Sequence, residues 1–233
     1  MADVRRAKRA IRRRVEPLIP TPRGEWDRAF REEILASHPG FVEAVLADAR
    51  VAVRMRGDRW TIDGPVTNWF HVVRLAVVGD SFLGQICYRA KASLQARRVP
   101  VLPHLFHRLA IVTGQICIGD PVVVDAGVYI PHGQVVADAM TKVGAGATLS
   151  PFTTLGRIGA KRGGPTIGAL AFISTGAKVV GPVTVGARAR VGANAVVLGD
   201  VPPDAAAVGV PARIVDASEV PADEAMDGTT GQP

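Results

Sequence analysis

The sequence predicts an α+β chain, with an N-terminal helical domain followed by a left-handed parallel β-helix of hexapeptide repeats. Three observations predict it. Aliphatic residues recur every six positions through Val112, Ile118, Val124, Ile130 and Val136, then, after one extra residue, through Val143, Leu149 and Leu155. They resume at Ile167 and run through Ile173, Val179, Val185 and Val191 to Val197. A period of six matches neither a helix nor a long strand, and it suits a coil whose short strands each take one side of a prism. The second observation is the company these residues keep. Small residues precede them by two places (Thr141, Ala147, Thr153, Ala171, Ala177, Ala189, Ala195) and glycine often follows (Gly119, Gly144, Gly156, Gly168, Gly186, Gly192), as tight corners require. The third is the N-terminal half, where apolar residues recur three and four apart.

The helical half reads in order. Residues 1–22 form a basic arm, in which residues 1–14 hold seven Lys or Arg against Asp3 alone. The helical domain is expected over 23–110. Trp26, Phe30, Ile34 and Leu35 give a helical pattern from Glu25, broken at His38-Pro39-Gly40. A second helix is expected over Phe41–Met55, with Val45, Leu46 and Val53 inward. Gly57-Asp58 and Asp63-Gly64-Pro65 are turn signals. Trp69 to Arg97 reads as one long helix or two, interrupted near Gly79-Asp80. Pro100 and Pro103 close that segment, and His104–Leu109 suggests a short helix leading into the coils.

The β-helix is expected over 111–204, in about five coils of three hexads each. Its two irregularities are the seven-residue step placed between Val136 and Val143, and the basic, glycine-rich stretch from Gly156 to Thr166. There Lys161 takes an aliphatic position, so the chain is expected to leave the coil as a loop. Loops on a rigid scaffold tend to carry binding groups, and Arg157, Lys161 and Arg162 could meet phosphates. A closing segment, 205–215, and an acidic tail, 216–233, complete the chain.

Composition narrows the classes. A hydrophobic share of 48% supports a substantial core, and the 5% aromatic share suits thin coils of stacked small aliphatic residues. No run of about 18 apolar residues predicts a membrane span, and no signal-peptide core follows the basic start. Two cysteines, Cys87 and Cys117, are too few for a disulfide scaffold. A cytoplasmic protein is the simplest expectation. The basic arm has no interleaved aromatics and leads into no nucleic-acid fold motif, so nucleic acid is not expected as a partner.

His132 is the one histidine within the coils, just past Ile130-Pro131, and a neutral imidazole there can serve as a general base. His104 and His107 have the spacing of a metal pair but lack further ligands, so no metal is expected. His38 and His71 read as structural, and Cys117 as a corner or buried thiol.

The hexads with Ile130-Pro131-His132-Gly133, and the ending Asp200-Val201-Pro202-Pro203 through Gly209-Val210-Pro211-Ala212-Arg213-Ile214-Val215, resemble the serine acetyltransferase group of hexapeptide-repeat acyltransferases. The resemblance covers Pro100 to Val215. It implies acetyl-CoA as cosubstrate, bound between the coils of neighbouring subunits, and a homotrimer whose helical domains can join two trimers. It implies His132 as the catalytic base, activating a small hydroxylated acceptor. It assigns coenzyme contacts to Gly156, Ser174, Gly176, Ala177, Lys178, Gly192, Ala193 and Arg213, with Lys178 and Arg213 as candidates for the phosphates. The family pattern also carries an aspartate fifteen residues before the base, where this chain has Cys117, and another immediately before it, where this chain has Pro131. It has an Arg-His-Pro segment where this chain reads Gly163-Gly164-Pro165. These departures imply an acceptor other than serine. The alternatives are an acyltransferase for an amine or another acyl-CoA, and a non-catalytic trimer with a structural or regulatory role.

Overall fold

The computed structural model describes residues 32–58, 65–159 and 163–216. The arm at 1–22, Trp26, Phe30, Lys161, Arg162 and the acidic tail from 217 lie outside the described residues.

After a helical turn pair over 32–37, four helices follow. Helix α1, Phe41–Met55, buries Ala44, Val45, Asp48, Ala49, Ala52 and Val53, a stripe at helical spacing. Helices α2, Pro65–Val78, and α3, Phe82–Ala96, meet at a bend of 115°. Gly79 permits the break, since a Cβ there would lie 2.7 Å from the Leu75 carbonyl oxygen. Val45, Ala49, Val53, Val72, Leu75 and Phe82 form the core between these three helices. Helix α4, Leu102–Gly114, crosses α3 at close range, where a Cβ on Gly84 would lie 2.7 Å from the Gly114 Cα.

Two expectations are corrected here. The short helix expected over His104–Leu109 extends to Gly114, so Val112 belongs to α4 and is 80% exposed rather than inward. The first coil residue of the inward stack is therefore Ile116. Val136 also faces outward, at 43% exposure, between the buried Val135 and Ala137.

The coils form a left-handed parallel β-helix with three faces. The first sheet stacks β1 (Ile116–Ile118), β3 (Val135–Ala137), β6 (Thr154–Gly156), β9 (Lys178–Val180) and β12 (Val196–Val197). The second stacks β2 (Val123–Val124), β4 (Lys142–Val143), β7 (Thr166–Ile167) and β10 (Thr184–Val185). The third stacks β5 (Thr148–Leu149), β8 (Phe172–Ile173), β11 (Arg190–Val191) and β13 (Ala206–Val208), ending on the antiparallel β14 (Arg213–Val215). Register holds the aliphatic residues in columns: Ala137 opposite Leu155, Leu155 opposite Val179, and Val179 opposite Val197. Corners stack as tightly as strands. A Cβ on Gly168 would lie 2.5 Å from the Ala187 amide nitrogen, which is why glycine recurs after the aliphatic position.

The first coil would expose unpaired backbone carbonyls at its open end, a costly edge. Helix α3 lies across it and supplies the donors. Gln85 Nε2 donates to Val128 O at 2.8 Å, Arg89 to Val124 O and Asp125 O at 2.6 and 2.7 Å, and Lys91 Nζ to Ile118 O at 2.7 Å. Ser81 Oγ donates to Ile130 O and, at 3.2 Å, to Pro131 O. Arg89 is itself paired with buried Asp48 of α1 at 2.8 Å, and Asp48 accepts from Gly127 N at 2.8 Å. Charged side chains are rarely buried unless paired, and here each completes the end of the coil.

Candidate active site

The inward columns show where the extra residue of the repeat lies. Ile130 and Ala137 are successive inward residues seven apart, while Leu149 to Leu155, Ile173 to Val179 and Val191 to Val197 are six apart. The insertion is thus in the corner that carries His132, not between Val136 and Val143. Equivalent corners turn through one left-handed residue: Phe152 (φ 62°), Gly176 (φ 75°) and Asn194 (φ 56°). The His132 corner uses two in succession, Gly133 (φ 73°) and Gln134 (φ 56°). This longer corner carries His132 outside the stack, with its side chain 63% exposed.

The helical domain holds this corner from both sides. Ser81, at the α2–α3 bend, bonds the two carbonyls preceding His132. A Cβ on Gly133 would collide with the Gly114 carbonyl oxygen at the end of α4, so only glycine fits this approach. The residue before Ser81 completes the contact: His132 Nδ1 lies 2.8 Å from Asp80 Oδ2. Asp80 is the site residue that sequence reasoning missed.

The corners joining the third sheet to the first form one edge of the prism. His132 stands on it, followed coil by coil by Pro151-Phe152, Ser174-Thr175-Gly176-Ala177 and Gly192-Ala193-Asn194. Gly176 N donates to Pro151 O and Asn194 N to Thr175 O, each at 2.9 Å, so the corners are hydrogen-bonded in a line. Val196 N to Gly209 O continues it at 3.0 Å, and Arg213 pairs with Val208 beside that last corner. With strands about 4.8 Å apart, the four steps from His132 to the last corner span about 19 Å.

Most of the residues singled out in the sequence share one edge or border it. Ser174, Gly176, Ala177, Gly192 and Ala193 lie on it, Lys178 at the near end of the adjoining first sheet, and Arg213 at its far end, whereas Gly156 ends β6 on the opposite border of that sheet. Gly156 is buried, although a side chain built there would meet no neighbouring atom within 4 Å. Lys178 is less available than expected, because its ammonium donates to Phe152 O at 2.9 Å and Gly176 O at 2.6 Å. Arg157 is exposed on the far border of the first sheet, where the chain leaves the coil.

Cys117 points outward from β1, opposite Val136. Gly164 cannot carry a side chain in this backbone, since a Cβ would collide with the Ala139 carbonyl oxygen. Among the described residues no group of three or more His, Cys, Asp or Glu could hold a metal ion. His104 and His107 stay on α4 without a third ligand, and burial, with Lys91 nearby, lowers the His107 pKa.

A scan against models of known protein families finds no match. Individual relatives do match. The chain is 36% identical over 133 residues to a serine acetyltransferase of Helicobacter pylori, covering 56% of this chain and 78% of that protein. It is 34% identical over 145 residues to one from Synechococcus elongatus, covering 61% of this chain but only 59% of that relative's length. Among solved structures, a serine acetyltransferase in complex with CoA superposes with a TM-score of 0.64 at 26% identity, over 81% of this chain and 75% of that one. No single helix among the described residues is long and apolar enough to cross a membrane. With its three-faced coil, its helical cap and the extent of these matches, the chain belongs to the serine acetyltransferase family of hexapeptide-repeat acyltransferases.

Proposed function

We propose that the chain transfers an acetyl group from acetyl-CoA to the hydroxyl of a small acceptor, with His132 as general base. The carrying observation is His132 itself, exposed at the head of a line of small-residue corners with its Nδ1 engaged. That leaves Nε2 as the atom available to a substrate. Nε2 takes the hydroxyl proton as the acceptor oxygen bonds to the thioester carbonyl carbon. The carbon–sulfur bond then breaks, and the imidazolium returns the proton to the departing thiolate. A base of this kind contributes about 10²–10⁴ in rate.

The acyl donor suits the edge. Its small residues allow an extended chain to run close to the backbone, and Arg213 offers a cation at the far end. The acceptor is a hydroxyl compound other than serine. Gly164 stands where the family resemblance implies a histidine, and its surroundings exclude any side chain. On the next corner along the edge the exposed residue is the apolar Phe152. The same resemblance supports a homotrimer joined through the coils, working in the cytoplasm.

The test is thiol release from acetyl-CoA against a panel of hydroxyl and amine acceptors. Acceptor-dependent release that falls at least about 100-fold in His132→Ala is the expected result. Release only with amines would redirect the reading to an N-acyltransferase. Absence of both turnover and acetyl-CoA binding would leave a non-catalytic trimer.

A further inference from the structure

We infer that Asp80 is the positioning residue for His132, so that the helical domain, not the coil, supplies the carboxylate orienting the base. This rests on the proposed role of His132 and adds the group that fixes its tautomer. The observation is the 2.8 Å contact between Asp80 Oδ2 and His132 Nδ1. A carboxylate there accepts from Nδ1–H, which places the lone pair on Nε2, the nitrogen a substrate hydroxyl would meet.

The placement is built from several independent contacts. Asp80 precedes Ser81, whose hydroxyl is tied to Ile130 O and Pro131 O on the strand leading to His132. Both partners of the pair are thus fixed to the same short piece of backbone. On the other side Gly133 packs against the end of α4 so closely that no larger residue fits. The bend at Gly79 is what brings residue 80 to the corner, and α3 anchors that bend through Gln85, Arg89 and Lys91.

Exposure separates this role from a structural one. The two side chains are 63% and 67% exposed, and ion pairs in water contribute little to stability. The buried Asp48–Arg89 pair already docks the cap. The Asp80 contact is therefore dispensable for folding, and its consequence falls on the orientation of the imidazole. Such a dependence also couples the base to the seating of the helical domain, because a shift of α3 would withdraw the carboxylate while leaving His132 on its corner.

The experiment uses the full chain labelled with ¹⁵N-histidine. Long-range ¹H–¹⁵N correlation at mildly alkaline pH reads the His132 tautomer in the wild type and in Asp80→Ala, His132→Ala assigning the signal. The expected result is an Nδ1–H tautomer in the wild type that gives way to Nε2–H in Asp80→Ala, with an unchanged melting temperature. Turnover in the variant should fall about 100-fold or more in kcat, while KM for acetyl-CoA stays within about twofold, as loss of a transition-state contribution requires. Cys117→Ser, a change on the neighbouring coil strand, should leave both readouts at wild-type values. An identical tautomer in wild type and Asp80→Ala, or undiminished kcat, overturns the inference. Absence of turnover in the wild type would instead count against acyl transfer, and the tautomer measurement would still decide the pairing.

Discussion

A single hydrogen atom at position 133 sets how near the base can come to the helical cap. Gly133 combines a left-handed φ of 73° with a Cβ direction blocked by the Gly114 carbonyl oxygen. Gly133→Ala must both strain its own dihedrals and push the corner off α4. The dihedral strain alone costs about 1–2 kcal/mol, and because the added Cβ would collide with backbone the corner must also move off α4, carrying His132 away from Asp80. The expected outcome is a clear fall in urea midpoint beside a still larger fall in turnover, and undiminished turnover would refute it. His132 was legible in the sequence because the coil has no other histidine. Asp80 was not, because 52 residues separate the partners. The local signal was only a helix break at Gly79-Asp80, and a break does not say what it faces. Val136 was misread for a related reason: an aliphatic residue at the sixth place looks inward whether the extra residue precedes or follows it.

At the scale of elements, α3 is the piece that joins two different periodicities. Its apolar residues Tyr88 and Ala92 continue the stack of the coils, while its polar residues close the first coil's hydrogen bonds. The hexads made the strands readable, since each column position repeats its residue type. The helix Phe41–Met55 was readable from its spacing. The sequence predicts that the helical half caps the open coil end, but not which residues do so, because Gln85, Arg89 and Lys91 look like an ordinary solvated face until a coil end is placed beneath them. Removing one partner of a buried pair typically costs about 3–5 kcal/mol. Asp48→Ala should fall near the lower end, about 3 kcal/mol by urea unfolding, since Arg89 keeps the Val124 and Asp125 carbonyls while Gly127 N–H loses its acceptor. Arg89→Met alone should cost at least as much, because it strands both Asp48 and those carbonyls. If either variant unfolds at the wild-type midpoint, the cap is not held by this pair.

For the whole molecule, stability of a coil stacked layer on layer depends on its ends, and at the capped end one half-buried histidine makes that stability depend on pH. Among the described residues nothing hydrogen-bonds to either ring nitrogen of His38, and both are buried. Burial first, then the nearby charges of Arg89 and Lys91, lowers its pKa from 6.5 to about 4. Between those two values the unfolded chain takes up a proton that the folded chain refuses. Folded stability should therefore rise with pH from about 4 to about 6.5 and level off above, the histidine accounting for on the order of 2 kcal/mol once its partial exposure is allowed for. The cations that depress His38 are those that close the first coil, so its protonation adds a third positive charge beside the cap contacts. Urea unfolding from about pH 4.5 to pH 7 should show this slope in the wild type and a flatter one in His38→Leu. Parallel slopes in the two proteins would assign acid sensitivity to carboxylates elsewhere. A flattened slope would locate it at the junction of cap and coil, a few contacts from the bend that carries Asp80 to His132.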